Sequence, residues 1–116
     1  MNWEMKRVYV AGAYSADNVC DVLANMRRGM RWATKVFLAG HAPFCPWHDF
    51  HYELMLREEE GEKLTLEDYY QFSLAWLRAS DVVFVTPGWR TSHGTIQEIN
   101  MARSLGIPVV FKLEDI

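Results

Sequence analysis

The chain has only two cysteines, no apolar run of membrane-spanning length and no basic tract. Cys20 falls within a helical pattern and Cys45 beside two prolines, and a core of this size needs no disulfide, so both read as free thiols. A membrane span needs ~20 apolar residues, which no stretch approaches. Met1-Asn2-Trp3-Glu4 lacks the charged-then-apolar layout of a signal peptide. The expectation is a cytoplasmic protein with no membrane partner. Twelve basic residues against fifteen acidic ones give a formal net charge of -3, and Arg27, Arg28 and Arg31 lie on a helix flank, so no polymeric nucleic acid is expected as a partner. What is present is an ordinary globular composition, half hydrophobic over 116 residues, enough for a single domain spanning 1–116.

Hydrophobic periodicity divides that domain. Arg7 to Ala11 is a short β-branched and aromatic run ending at Gly12, a buried first strand. After N-cap candidates at Ser15 to Asn18, the residues Val19, Val22, Leu23, Met26, Met30, Ala33 and Phe37 keep helical spacing. Asp21, Asn25, Arg28, Arg31 and Lys35 take the outward face, and Gly40 ends the helix. Between Pro43 and Pro46 only a short strand fits. Trp47 to Gly61 is aromatic and His-rich, then charged from Arg57 to Glu60, a solvated helix end or loop. Thr65 and Asp68 have capping-box spacing, with Asp where Glu or Gln is usual. A helix to about Ser80, an apolar strand at Val82 to Val85, a helix from Gly94 to Leu105 and a strand at Val109 to Phe111 complete the order. Strands alternating with helices predict an α/β fold, a small three-layer doubly wound parallel sheet of flavodoxin or Rossmann type. Ligands of such folds bind beyond the carboxyl ends of the strands, where 12–15, 47–51 and 86–94 gather.

Glu98 is the anomaly in this pattern. In a helix starting near Gly94 it shares the apolar stripe with Met101, Ala102 and Leu105, while Gln97, Asn100, Arg103 and Ser104 take the other face. A buried carboxylate must be hydrogen-bonded, neutral, or open to a ligand-binding cleft. One turn earlier, Ser92, Gly94 and Thr95 stand at the mouth of the helix, where free N–H groups and the helix dipole favour an anion such as phosphate. Ser92 is equally an ordinary N-cap. His41, Cys45, His48 and His51 are zinc-ligand types, but their spacing matches no compact metal motif, and no metal or other cofactor is expected.

The segments 8–14 (VYVAGAY), 73–85 (SLAWLRASDVVFV) and 87–110 (PGWRTSHGTIQEINMARSLGIPVV) resemble the nucleoside 2-deoxyribosyltransferase superfamily, including its relatives that hydrolyse nucleoside 5'-monophosphates. The resemblance covers the first strand and most of the last third of the chain, but not Trp47 to Leu66. It implies that Glu98 is a nucleophile that attacks the anomeric carbon, expels the base and leaves a glycosyl ester for water or a second base to resolve. It also implies that Gly12 lets the backbone approach the sugar and Tyr14 walls the base pocket, the alternative being a turn glycine and an aromatic lid on the core. Ser at position 92, where enzymes acting on free nucleosides resemble each other in having Asp, favours a phosphorylated substrate, because Asp would repel it. Arg90 is a further source of charge near it.

One departure stands out. The superfamily's Asp in the helix before the central strand corresponds here to Ser73, and Asp68 lies about 140° around the helix. The general acid or orienting group is therefore open among Asp68, Ser73, His48 and Asp49. The expected function is N-glycosidic cleavage of a (2'-deoxy)nucleoside 5'-monophosphate. The alternatives are base exchange between deoxynucleosides and a nucleotide-binding module without turnover. A further rival comes from Pro87-Gly88 with Gly94-Thr95-Ile96-Gln97-Glu98, which resembles the phosphoribohydrolase signature with a longer loop. The expected partners are a small-molecule nucleotide or nucleoside and, from the resemblance, further copies of the chain in a homodimer or higher oligomer.

Overall fold

The computed structural model describes residues 4–59 and 63–116; Met1 to Trp3 and the end of the charged run at 60–62 lie outside the described residues. Four parallel strands form one sheet in the order β2-β1-β3-β4. They are β1 (Arg7–Ala11), β2 (Ala42–Phe44), β3 (Val82–Val85) and β4 (Val109–Val110). Four helices connect or flank them: α1 (Val19–Leu38), α2 (Phe50–Glu58), α3 (Leu66–Arg78) and α4 (His93–Ser104). Tyr9 pairs with Phe44 on one side and Val83 on the other, so β1 is central, and the strand order reverses direction next to it. The doubly wound parallel sheet expected from the pattern is the observed one. Among the described residues no helix is long and apolar enough to cross a membrane.

Period-two alternation along β1 and β3 feeds two separate cores. Val8, Val10, Val82 and Phe84 face α1, meeting Met26, Ala33 and Val36. Tyr9, Ala11, Val83 and Val85 face α3 and α4, meeting Leu74, Leu77, Ile99 and Ala102. Both central strands are buried on both faces, which is why they read as continuous apolar runs.

The helix boundaries follow local chemistry. Asn18 caps α1 by accepting from the Asp21 N–H at 2.9 Å. Thr65 and Asp68 form the reciprocal capping box, at 3.1 Å and 2.8 Å, so the shorter Asp closes it as Glu would. Ser92 caps α4, its hydroxyl accepting from the Thr95 N–H at 3.3 Å. The unmatched middle segment is a 3-10 turn at Pro46–Asp49 running into α2. The last strand is one residue shorter than expected.

The apolar stripe of α1 differs from the expected one. Val19, Leu23 and Phe37 are exposed, whereas Val36 and Asn25 are buried. The helix is rotated so that its Asp21, Ala24, Asn25 and Arg28 edge faces a cavity instead of bulk solvent. Leu105, placed on the inward stripe of α4, is likewise half exposed, and Ile99 takes the buried position.

Trp47 fixes that rotation. Its indole is 2% exposed, donates from Nε1 to the Ala13 carbonyl at 3.1 Å, and lies flat on Gly29 of α1. A Cβ at position 29 would fall 2.3 Å from Trp47 Cδ2 and Cε2, a contact that real side chains do not make. Gly12 is hemmed in similarly, its hypothetical Cβ lying 2.2 Å from Thr86 Oγ1. The absence of a side chain at Gly12 is therefore accounted for by packing of the β1 and β3 ends.

These contacts set the sign of one substitution. In an open helix, Gly→Ala gains about 1 kcal/mol. At Gly29 the methyl group meets a buried rigid ring, and overpacking of this kind costs ~1–3 kcal/mol or more. Gly29→Ala is expected to lower the urea midpoint and the Tm. A variant more stable than the parent would refute this packing.

Candidate active site

The carboxyl ends of β1 and β3 open into a cavity of about 1260 Å³. It is lined by the loop after β1, one edge of α1, the 3-10 turn before α2, the start of α3, and the first turns of α4. Known small-molecule sites run to ~300–1,000 Å³, so a nucleotide fits with room to spare. The sequence-derived residues Gly12, Tyr14, Asp49, Ser73, Ser92, Gly94, Thr95 and Glu98 all line it. Asp68 and His48 do not: Asp68 is exposed and occupied in the α3 cap, and His48 is exposed on the 3-10 turn. Arg90 also lies outside, its guanidinium 4.9 Å from the Trp89 ring centroid. Among the described residues no cluster of His, Cys, Asp and Glu has metal-site geometry. His41 Nδ1 accepts from the Lys6 N–H at 3.2 Å, and the Cys45 thiol is pushed up to about 11 by burial.

Glu98 is 9% exposed, on the inward face of α4 beside Thr95, Ile99 and Ala102. Its Oε2 accepts a short hydrogen bond from the hydroxyl of Tyr9. Tyr9 is fully buried on β1, stacked on Phe44 with ring centroids 5.5 Å apart, and its hydroxyl also receives a hydrogen bond from Ser73 of α3. Three elements thus converge on one carboxylate. Burial raises Glu98 to about 7, against the Tyr9 hydrogen bond, which lowers it. Burial, followed by the charge of Glu98, raises Tyr9 well above its ordinary range, so it stays a donor. A carboxyl raised toward neutrality in a cleft makes Glu98 the candidate for chemistry at this site.

Sequence reading missed Tyr9. Alternation in the first strand does separate Tyr9 and Ala11 from Val8 and Val10, but the partner across the sheet face depends on how α4 docks, which periodicity does not encode. The cavity edge of α1 was missed for the same reason.

A second carboxyl, Asp49, accepts from the Tyr14 hydroxyl at 2.7 Å. Half-buried, it is raised by desolvation, with the Tyr14 hydrogen bond opposing and Glu53 adding to the rise. Tyr14 stacks on Trp47 with centroids 6.5 Å apart, so an aromatic wall and a carboxyl share one side of the cavity. At the other side, Ser92 Oγ and Thr95 Oγ1 lie 2.8 Å apart at the N-terminus of α4. Gly94 has no atom within 4 Å of where a Cβ would stand, leaving its backbone accessible.

Comparisons agree with this architecture. A family model described as a domain of unknown function, DUF4406, matches residues 6–111. No curated protein matches the chain. Among solved structures, a 2-deoxyribosyltransferase from the psychrotolerant bacterium Bacillus psychrosaccharolyticus is similar with a TM-score of 0.54 and 18% sequence identity. The likeness covers 89% of this chain and 69% of that one, and it establishes a shared fold.

The raised Glu98 makes stability depend on pH. Glu98 is ordinarily near 4.5 and is raised to about 7 in the folded protein, so folding favours its protonated form. Its contribution is complete below about pH 4.5 and is lost as pH rises through about 7. Glu98→Gln keeps an acceptor for Tyr9 and removes the charge. It is expected to be more stable than the parent at pH 8, by about 2–3 kcal/mol, with the difference vanishing near pH 4.5. Denaturation curves at both pH values test this, and equal stabilities at pH 8 would show that burial does not disfavour the charge.

Proposed function

The chain belongs to the DUF4406 family, and from that premise we propose that it is an N-glycosidase acting on a (2'-deoxy)nucleoside 5'-monophosphate, with Glu98 as nucleophile. The observation that carries this reading is the buried Glu98 carboxyl, held by Tyr9 and lining the same cavity as the open N-terminus of α4. A sugar bridging the two points has its anomeric carbon at the carboxylate and its 5'-phosphate at Ser92, Gly94 and Thr95. The enzymatic activity named for the fold neighbour, 2-deoxyribosyl transfer, is consistent with glycosyl chemistry in this fold.

Departure of a base builds oxocarbenium character at C1', and a nearby anion stabilises it. The ionised oxygen of Glu98 bonds to C1' as the N-glycosidic bond breaks and its electron pair leaves with the base. Water then attacks C1' of the ester and gives its proton to the general acid that the first step deprotonated, which returns the Glu98 carboxylate and releases the sugar phosphate. Tyr9 fixes the carboxylate during both steps. For the proton taken up by the departing base we assign Asp49, the half-buried carboxyl beside the aromatic wall. Base exchange differs only in that a second base replaces water at the ester.

Chromatography of free base, after incubation with deoxy- and ribonucleoside monophosphates and matching nucleosides, tests the reading. Base release by the parent is expected to fall by more than about 1000-fold in Glu98→Ala. In the parent, kcat/KM should follow a bell against pH, rising as Glu98 ionises and falling as Asp49 loses the proton that the departing base takes up. No base from any substrate, with or without an acceptor base, would overturn the enzyme reading in favour of a binding module. Preference for ribonucleotides would instead favour phosphoribohydrolase chemistry.

Ser92→Asp separates phosphate recognition from capping, because Asp caps a helix as well as Ser does. KM for monophosphates is expected to rise about tenfold or more while nucleosides are little affected. Unchanged KM for monophosphates would remove Ser92 from the phosphate site.

A further inference from the structure

The cavity is strongly acidic, which is a problem for an anionic substrate. Carboxyl groups of Asp21, Asp49, Glu53, Glu67 and Glu98 line it, and among the described lining residues Arg28 is the only permanently cationic side chain. Arg28 is also held in place. Asn25, one turn before it on α1, is 8% exposed, donates from Nδ2 to the Tyr14 carbonyl at 3.0 Å, and accepts a short hydrogen bond from Arg28 Nη2 at its Oδ1. A buried Asn in mid-helix is costly unless both ends of its amide are used, and here one end is anchored to the backbone while the other orients a guanidinium. Among the described residues the ion pairs are Arg7 with Asp81 and Arg57 with Glu53, so the Arg28 guanidinium is not neutralised by a carboxylate.

Its position is informative. Arg28 lines both the main cavity and an adjoining cleft of about 310 Å³, whose other walls include Trp32, Thr86, Pro87 and Gly88. Gly88 has φ of 86° and starts the 3-10 turn at Trp89–Thr91 that delivers the chain to the Ser92 cap. Arg28 thus shares a cleft with Pro87 and Gly88, the residues that lead into the Ser92 cap. The Arg28 side chain and the α4 terminus both supply positive potential to an otherwise acidic cavity.

We propose that Arg28, oriented by the buried Asn25, is a ligand of the substrate's phosphate opposite the α4 N-terminus and makes the site select nucleotides over nucleosides. This rests on the reading of the cavity as a nucleotide site. A guanidinium presents a planar fork of donors that matches two phosphate oxygens, and anchoring by Asn25 lowers the entropy lost on binding. Asn25 is a positioning residue and Arg28 the contact.

The test is calorimetric binding to Glu98→Gln protein, in which turnover is blocked. The probes are 2'-deoxynucleoside 5'-monophosphates, the matching nucleosides and inorganic phosphate. Monophosphates are expected to bind more tightly than nucleosides. Adding Arg28→Ala should raise the monophosphate Kd by about 10- to 100-fold while nucleoside Kd changes less than about twofold. Arg28→Lys should restore part of the loss, and inorganic phosphate should compete with monophosphates only when Arg28 is present. Equal weakening of nucleotide and nucleoside by Arg28→Ala, or no weakening of either, would overturn the proposal. Arg28 is exposed, so its replacement spares the core, and thermal denaturation of each variant verifies folding. Base release by protein with Glu98 intact is read separately. Arg28-dependent nucleotide binding without base release keeps this proposal and rejects the glycosidase. Base release with a nucleotide preference indifferent to Arg28 does the reverse.

Discussion

The hydroxyl of Tyr9 on the carboxyl of Glu98 ties the central strand to α4 at the floor of the cavity. Burying a carboxylate among Thr95, Ile99 and Ala102 costs several kcal/mol unless it is paired, and among the described residues no cation pairs with it. A tyrosine donor reduces the cost without cancelling it, and the residue of that cost is the elevated proton affinity of Glu98. The same contact sets how α4 lies against β1. It thereby places the Ser92 cap over the carboxyl end of the sheet and leaves the cavity between α4 and α1.

Two rigid supports keep that cavity open. On the α1 side, Trp47 fills the space that Gly29 and Gly12 vacate, and its indole N–H holds the Ala13 carbonyl. On the α4 side, the capped helix terminus exposes backbone donors that have no intrahelical partner. Between them the walls divide by charge. Asp49, Glu53 and Glu67 stand with Tyr14, Trp47 and Tyr69 on the α2 and α3 side, while Arg28 shares a cleft with Thr86, Pro87 and Gly88 of the loop after β3. A ligand with an apolar ring at one end and an anion at the other follows that division.

Much of the fold was legible because its strands are buried on both sides and its helices carry their own punctuation. The apolar run at Val82 to Val85, the Thr65–Asp68 box and the Ser92 cap each announced an element through local chemistry, and each stands where expected. Glu98 was legible because a charge on an apolar stripe violates the pattern. Asn25, Arg28 and Tyr9 were not, for a common reason. A polar helix edge facing solvent and one facing a cavity have the same periodicity, and a tyrosine in a strand gives no sign of what meets its hydroxyl. The segment after Pro46 stayed opaque because Trp47 acts through a contact with Gly29, and a missing side chain leaves no mark in a hydrophobic pattern.

The central claim is that Glu98 bonds to the sugar. Its most direct test is peptide mass mapping of protein quenched in acid during incubation with deoxynucleoside monophosphates, including slowly turned-over 2'-fluorinated analogues. The account predicts a deoxyribose 5-phosphate ester, or its fluorinated counterpart, on the peptide that contains Glu98 and on no other. Base release accompanied by an unmodified Glu98 peptide, or by an adduct on Asp49 instead, would contradict it.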